Sequence, residues 1–292
     1  MGEVKFNYKE AFLRNIGIVT EAEQEKISKV TVAIAGMGGV GSSYALNFAR
    51  LGVCRFVISD PDTYSVSNLN RQYSATMDTI GKNKAEVTKN IILSINPTAE
   101  VKIIPGGIRK ENIDEFLEKA DIFIDGFDFF EVDIRLETFM TARKKGIYSL
   151  TAAPFGFSST LLVFSPTGMS FVEYFNIKPG MEKMEKLASF AVGLAPAALH
   201  FKYMDLKKVS LSNRSGPCIA PTYGLTTSLI VTESLAILLN KRKSKCIPHY
   251  YQYDPFLQKQ KYGYLIGGNK NPVQKLKLKY LLWKLAKEQE KK

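Results

Sequence analysis

Cysteine is scarce and scattered in this chain: Cys54, Cys218 and Cys246 are the only three in 292 residues, and no two form a CxxC pair. That argues against a disulfide framework and against a cysteine zinc site, and it points to a reducing cytoplasm. Histidine is scarcer still. With only His200 and His249, a Ser-His hydrolase is disfavoured, and both histidines are expected in core or surface roles. The longest apolar stretches, 187–201 and 225–239, are short for a membrane span and the second contains Glu233, so both read as buried helices. The opening MGEVKFNYKE is charged and has no apolar run, so no secretory signal is expected. No internal repeat or low-complexity linker divides the chain.

What is present is a core-forming composition, 45% apolar, with a net charge of +12 and 23% charged residues. That excess does not indicate a nucleic-acid partner, and the last eighteen residues, 275–292, supply +5 of it. Short apolar runs of strand length recur at 30–36, 55–60, 101–105 and 122–125, separated by helical stretches at 42–51, 84–95, 112–119 and 132–145. This alternation predicts an α/β fold: a Rossmann-like doubly wound sheet, parallel in its first half, with helices on both faces. A strand at 147–152 is expected next. Then 159–164 and 171–175 flank a Pro-Thr-Gly turn, as in a hairpin, so antiparallel strands should continue the sheet. Residues 178–213 read as a helical excursion before a long helix at about 221–239.

The first strand ends in Gly36-Met37-Gly38-Gly39-Val40-Gly41, and Asp60 closes the second strand nineteen residues after Gly41. Glycines there permit a tight turn and close approach of a phosphate to backbone N–H groups at a helix N-terminus, while an acid at that spacing can accept from ribose hydroxyls. A nucleotide is implied, although this pattern alone does not tell NAD from ATP. No lysine follows the last glycine, which excludes a P-loop. Asp62, then Asn68, Arg71 and Gln72 within SNLNRQ, Lys84 within IGKNKAEV, and Asp128 after the strand DIFIDGFD all fall toward the carboxyl edge of the predicted sheet, where such folds bind ligands. Singly, each has a bland role: surface charge for Arg71 and Lys84, turn former for Asn68, helix cap for Asp128. Their ordered succession after a glycine turn is what singles them out.

With these motifs, GMGGVGS, ISDPDTYSVSNLNRQ, IGKNKAEV, DIFIDGFD and the opening FLRNI, the sequence resembles the ThiF/MoeB/HesA family, relatives of ubiquitin-activating enzymes. The resemblance runs from about 8 to 166 and resumes weakly at 216–239. It implies an ATP-dependent adenylyltransferase that activates a carboxylate, the C-terminus of a small protein or peptide or a small molecule, with release of pyrophosphate. It further implies that Gly36, Gly38, Gly39 and Gly41 line the nucleotide, that Asp60 and Asp62 lie near ribose, that Asn68, Arg71, Gln72 and Lys84 hold it, and that Asp128 binds Mg2+. Arg14 is expected to reach into the partner's site of a homodimer. The residue types suit this chemistry: a carboxylate is already an anionic nucleophile and needs positive charge against the phosphates, not a general base.

The sequence also departs from the family. The CxxC pairs of many members are absent, so no zinc is expected, and Phe129 stands where Asn commonly follows the metal-binding acid. The crossover at 178–213 holds no cysteine, so no enzyme thioester is expected; Cys218, in SGPCI, reads as a small core residue. The chain is expected to form one adenylation domain over 1–292, with an N-terminal helical arm (1–29), a nucleotide-binding core (30–166), the crossover insertion (178–213) and a basic C-terminal helix (275–292). In that helix Leu278, Leu281, Leu282 and Leu285 recur at helical spacing with lysines opposite, which suits docking on its own domain or on a partner subunit; a peripheral contact with an anionic membrane or an acidic carrier protein is the other reading. Two other functions fit less of the sequence. An NAD(P)-dependent oxidoreductase would use the glycines and Asp60 but leave Asn68, Arg71, Lys84 and Asp128 idle, and an inactive scaffold would have no use for Arg71 and Asp128.

Overall fold

The computed structural model describes residues 5–210 and 214–289. The chain divides into two compact units, Met1–Phe127 with Thr227–Ser244, and Asp128–Thr226 with Lys245–Lys292.

The first unit carries the short helix α1 (Tyr8–Ala11), α2 (Glu21–Lys29), β1 (Thr31–Ala35), α3 (Gly41–Arg50), β2 (Arg55–Ser59), α4 (Lys84–Ile95), β3 (Glu100–Ile103), α5 (Ile113–Phe116) and β4 (Ile122–Asp125). Its strands lie in the order β3-β2-β1-β4 and all pair in parallel, Val32 opposite Phe56 on one side and Ile122 on the other. Every residue of β1 and β4 is buried, as expected of central strands in a parallel sheet covered on both faces. The chain steps outward from β1 to β3 and returns to β4 on the far side of β1. The carboxyl ends of β1 and β4 therefore bound a topological switch point, the place where open α/β sheets bind ligands.

The second unit carries α6 (Val132–Lys144), β5 (Tyr148–Phe155), β6 (Ser158–Phe164), α7 (Phe171–Phe175) and α8 (Lys183–Leu194). The long helix α9 (Ala220–Leu238) passes from this unit into the first, and β7 (His249–Asp254), β8 (Lys259–Tyr264) and α10 (Pro272–Gln289) complete the second. Strands β5, β6, β7 and β8 pair antiparallel in that order. The α/β class, with parallel strands followed by antiparallel ones, is as the sequence predicts.

The hairpin is not where it was expected. Residues 171–175 form α7 rather than a strand, and β6 pairs with β5 and β7. The cause is local: Ser170 Oγ accepts from Glu173 N at 3.2 Å while the Glu173 carboxylate accepts from Ser170 N at 2.7 Å, a reciprocal cap that starts a helix. Phe171, Tyr174 and Phe175 then fall on one buried face at helical spacing. There Phe171 and Phe175 pack with ring centroids 4.5 Å apart, and Phe175 meets Phe190 at 5.0 Å. Part of the expected crossover, 211–213, and the end of the expected basic helix, 290–292, lie outside the described residues. Among the described residues no helix is long and apolar enough to cross a membrane.

His200 is buried, stacks on Phe155 at 4.8 Å and leaves Nδ1 without a hydrogen-bond partner. Burial pushes its pKa down to about 4. The unfolded chain, with an ordinary histidine pKa near 6.5, therefore binds a proton that the folded chain refuses, so this group costs stability as pH falls from about 6.5 to 4. Thermal unfolding of wild type and His200→Gln across that range should show the two melting temperatures converging as pH falls. Parallel curves would refute the assignment.

Candidate functional site

The site in the first unit is built on the turn after β1. Gly36 has φ +90° and donates its N–H to Ser59 O at 2.7 Å, and a Cβ on it would lie 2.1 Å from Gly126 O. Gly41 is equally constrained, since a Cβ there would lie 1.7 Å from Gly36 O. The fold alone explains these two. Gly38 differs: its φ lies outside the left-handed region, and the nearest atom to a Cβ on it would be Gln72 Nε2 at 3.8 Å. Nothing in the protein requires glycine at 38, which leaves the close approach of a ligand as its physical rationale.

Helix α3 starts at Gly41 with no side-chain cap, so backbone N–H groups of its first turn remain for an anion. Ser42 Oγ turns back to donate to Gly38 O at 2.7 Å. Close to Gly38, the buried Gln72 leaves Oε1 without a partner, a cost that a donor from a bound molecule would relieve.

Asp60 anchors the turn. Its Oδ2 accepts from Met37 N at 2.6 Å and its Oδ1 from Asp62 N at 2.8 Å. Burial holds its pKa above the usual carboxylate range, against the backbone donors and nearby Lys84. Asp62 is exposed and accepts from the buried Lys84 Nζ at 3.1 Å. Lys84 is the first residue of α4, whose cap Asn83 accepts from Ala85 N and Glu86 N, and Lys84 N itself bonds Asp62 O at 2.9 Å. A cation is thus fixed at a helix start beside the turn that Asp60 holds. Asn68 is buried and locks its own turn through Ser65 N at 2.9 Å, which in turn places Gln72, whose N–H bonds Asn68 O. The structure therefore joins Gly36, Gly38, Gly41, Asp60, Asp62, Asn68, Gln72 and Lys84 in one contact network.

Arg71 joins it only through its backbone N–H, which bonds Asn68 O at 3.1 Å, and Arg14 is not tied into it. Arg71 Nη1 donates to Ser67 O and Asn70 Oδ1 of its own turn, each at 2.9 Å. Arg14 lies in an exposed 3-10 turn, Leu13–Asn15, beside Leu13, Ile16 and Ile18, which are 61%, 37% and 85% exposed.

Asp128 opens the second unit. Its Oδ1 accepts from Phe130 N at 2.8 Å and pairs with Arg214 at 3.4 Å, and Arg214 reaches Glu131 at 2.7 Å. The buried Arg135 fixes the same segment, donating to Asp128 O at 2.9 Å and to Phe129 O at 3.3 Å while lying over the Phe190 ring. Sequence reasoning missed Gly126, Arg135 and Arg214. Gly126 had a signal, as the glycine in DIFIDGFD; the two arginines had none, because their partners come from tertiary structure. Among the described residues no three His, Cys, Asp or Glu side chains converge as a metal cage. Cys218, expected in the core, is half-buried in the exposed segment that leads into α9.

Comparison with known proteins adds four likenesses. The family model described as "ThiF family" matches residues 12–271. A probable molybdopterin-synthase adenylyltransferase of Porphyra purpurea is 37% identical over 107 residues, covering 37% of this chain and 28% of that protein. The chain spans about a quarter to a half of the length of the curated relatives it matches. Among solved structures, PaaA superposes with a TM-score of 0.67 at 18% identity over 90% of this chain and 85% of its own. Escherichia coli MccB with AMPCPP and MccA gives 0.61 at 18% identity over 84% and 66%. At that identity the two structures establish the fold.

Proposed function

The chain belongs to the ThiF family, and from that premise we propose that it uses ATP to adenylate a carboxylate, releasing pyrophosphate. The observation that carries this reading is Gly38, which has no steric reason to be glycine, at the uncapped start of α3, where backbone N–H groups suit a phosphate. The nucleotide would lie along Gly36, Gly38, Gly39 and Gly41, with Asp60 and Asp62 toward ribose, Asn68, Arg71 and Lys84 around the phosphates, and Gln72 among the residues that bind it. Asp62 would release Lys84 to the nucleotide. The two form an ion pair in which Asp62 is exposed to solvent, so water can replace Lys84 at Asp62 at small cost.

Asp128 fits Mg2+: it is a hard oxygen donor, 58% exposed on its side chain and held in place through its backbone by Arg135. Mg2+ is commonly bound by one or two carboxylates plus phosphate oxygens, so a cage is not required. When bound, the ion supplies charge neutralisation at the pyrophosphate. The chain's own groups do the rest. Arg71 and Lys84 offset negative charge as the substrate carboxylate attacks the α-phosphorus and the bond to pyrophosphate breaks, with no proton to remove.

The relative named a molybdopterin-synthase adenylyltransferase and the MccB structure holding AMPCPP with MccA support a protein or peptide carboxylate and an adenine nucleotide. We further propose one adenylation domain, a homodimer completed by Arg14, and transfer without an enzyme thioester. An NAD(P) oxidoreductase is not favoured, since it gives Lys84, Arg71 and Asp128 no task.

The test is exchange of labelled pyrophosphate into ATP, with peptides bearing free C-termini as substrates. Lys84→Met preserves the buried stem and leaves Asp62 hydrated, so the fold should survive while exchange falls on the order of a hundredfold or more. Exchange unaffected by Lys84→Met, or tight NADH binding with no ATP binding, would overturn the reading.

A further inference from the structure

From Pro255 to Lys287 the chain contains eight lysines and no aspartate or glutamate. The second half of that stretch is α10 (Pro272–Gln289), and α10 has two faces. One packs inward: Gln274 is buried and donates to Val192 O at 3.0 Å, and Lys277 Nζ, its pKa lowered by burial, donates to Pro196 O at 2.7 Å. Leu278, Leu281, Leu282 and Leu285 lie on this side and are each half-buried. The other face is exposed and carries Val273, Leu276, Tyr280 and Trp283, at 60%, 69%, 64% and 53% exposure. Their spacing of three, four and three residues makes one continuous stripe along the helix. Tyr280 and Trp283 lie against each other at 6.0 Å. On the helical wheel Lys275 and Lys279 flank this stripe on one side and Lys284 on the other.

We infer that this face of α10 docks on an anionic lipid surface, lying in the plane of the bilayer. An apolar stripe ending in tyrosine and tryptophan matches the acyl-to-headgroup boundary, where amphipathic rings are favoured. Lysines on both flanks can bury their stems along it and hold their ammonium groups at the level of lipid phosphates. A stripe that met an acidic protein would need the charges but not four large apolar side chains at more than half exposure. A stripe that met a second copy would bring the same lysines face to face. The charge and the apolarity together select the bilayer, and the inference does not depend on the adenylation reading.

Trp283 is the chain's single tryptophan, so its fluorescence reports this face alone. Full-length protein mixed with phosphatidylcholine vesicles containing phosphatidylglycerol should show a blue-shifted emission, quenching by brominated acyl chains and co-sedimentation, all weakened by salt; pure phosphatidylcholine should give little of any. Replacing Lys275, Lys279 and Lys284 together by glutamine should weaken binding on the order of a hundredfold, about fivefold for each lysine. Leu276→Asp with Tyr280→Asp, both at exposed positions, should abolish it while the circular dichroism spectrum and melting temperature stay those of the wild type. No binding of the wild-type protein to anionic vesicles at low salt would overturn the inference. So would binding without brominated-lipid quenching, or a blue shift without lipid that tracks a concentration-dependent doubling of mass.

Discussion

Gly38→Ala protein is expected to melt within a few degrees of the parent and yet to lose on the order of a hundredfold in pyrophosphate exchange. The first half follows from geometry: a Cβ at 38 meets nothing nearer than Gln72 Nε2 at 3.8 Å, and the backbone there is not left-handed. Alanine also restricts the unfolded chain, which favours the folded state by a few tenths of a kcal/mol up to about 1 kcal/mol. The second half follows from the proposed ligand, since a methyl group on the open side of the turn displaces a phosphate from the N–H groups at the start of α3. Gly41→Ala is the control with the opposite signature. Its Cβ would lie 1.7 Å from Gly36 O, backbone against backbone, so the turn must break and the protein should lose about 3 kcal/mol or more before any ligand is considered. If Gly38→Ala exchanges pyrophosphate like the parent, the phosphates do not approach this turn.

The contrast between these two glycines shows how far sequence carries. Strand, glycine turn and helix were legible because each has a local cause: an apolar run, a positive-φ residue, an amphipathic period. The spacing to Asp60 was legible as well, but its use was not. Asp60 turns both carboxylate oxygens onto the backbone of Met37 and Asp62, so it organises the turn. Helix α7 misled for a physical reason. FVEYF has strand-like aromatics, and only the Ser170–Glu173 cap tips it into a helix. Strands β7 and β8 passed unread, although Tyr251 and Tyr253, two apart in β7, carry an alternating pattern that suits a half-exposed sheet. Arg214 beside Asp128 could not have been found, being 86 residues away in sequence.

Mixing two dead variants should restore activity. Arg14→Ala and Asp128→Ala proteins, each nearly inactive alone, are expected to regain roughly a quarter of wild-type exchange when refolded together, because half the dimers are mixed and each mixed dimer holds one intact site. The expectation requires that neither substitution harm the fold. Arg14 lies in an exposed turn. Asp128 can be removed at small cost to its partners, for Arg214 keeps Glu131 at 2.7 Å, Arg135 holds the backbone carbonyl rather than the carboxylate, and Phe130 N, whose bond to Asp128 Oδ1 is exposed, is left to water. The reason to look for a partner at Arg14 is its setting: Leu13 and Ile18, both large and apolar, are more exposed than a free surface turn favours. A symmetric interface covering that turn would carry the guanidinium across the two-fold axis, where its planar donors suit phosphate oxygens and lysine would not replace them. Arg14→Lys should accordingly stay poor in exchange while dimerising normally. Demonstrated subunit exchange without recovery, or a fully active monomer, would remove the shared site and leave Arg14 as a surface residue.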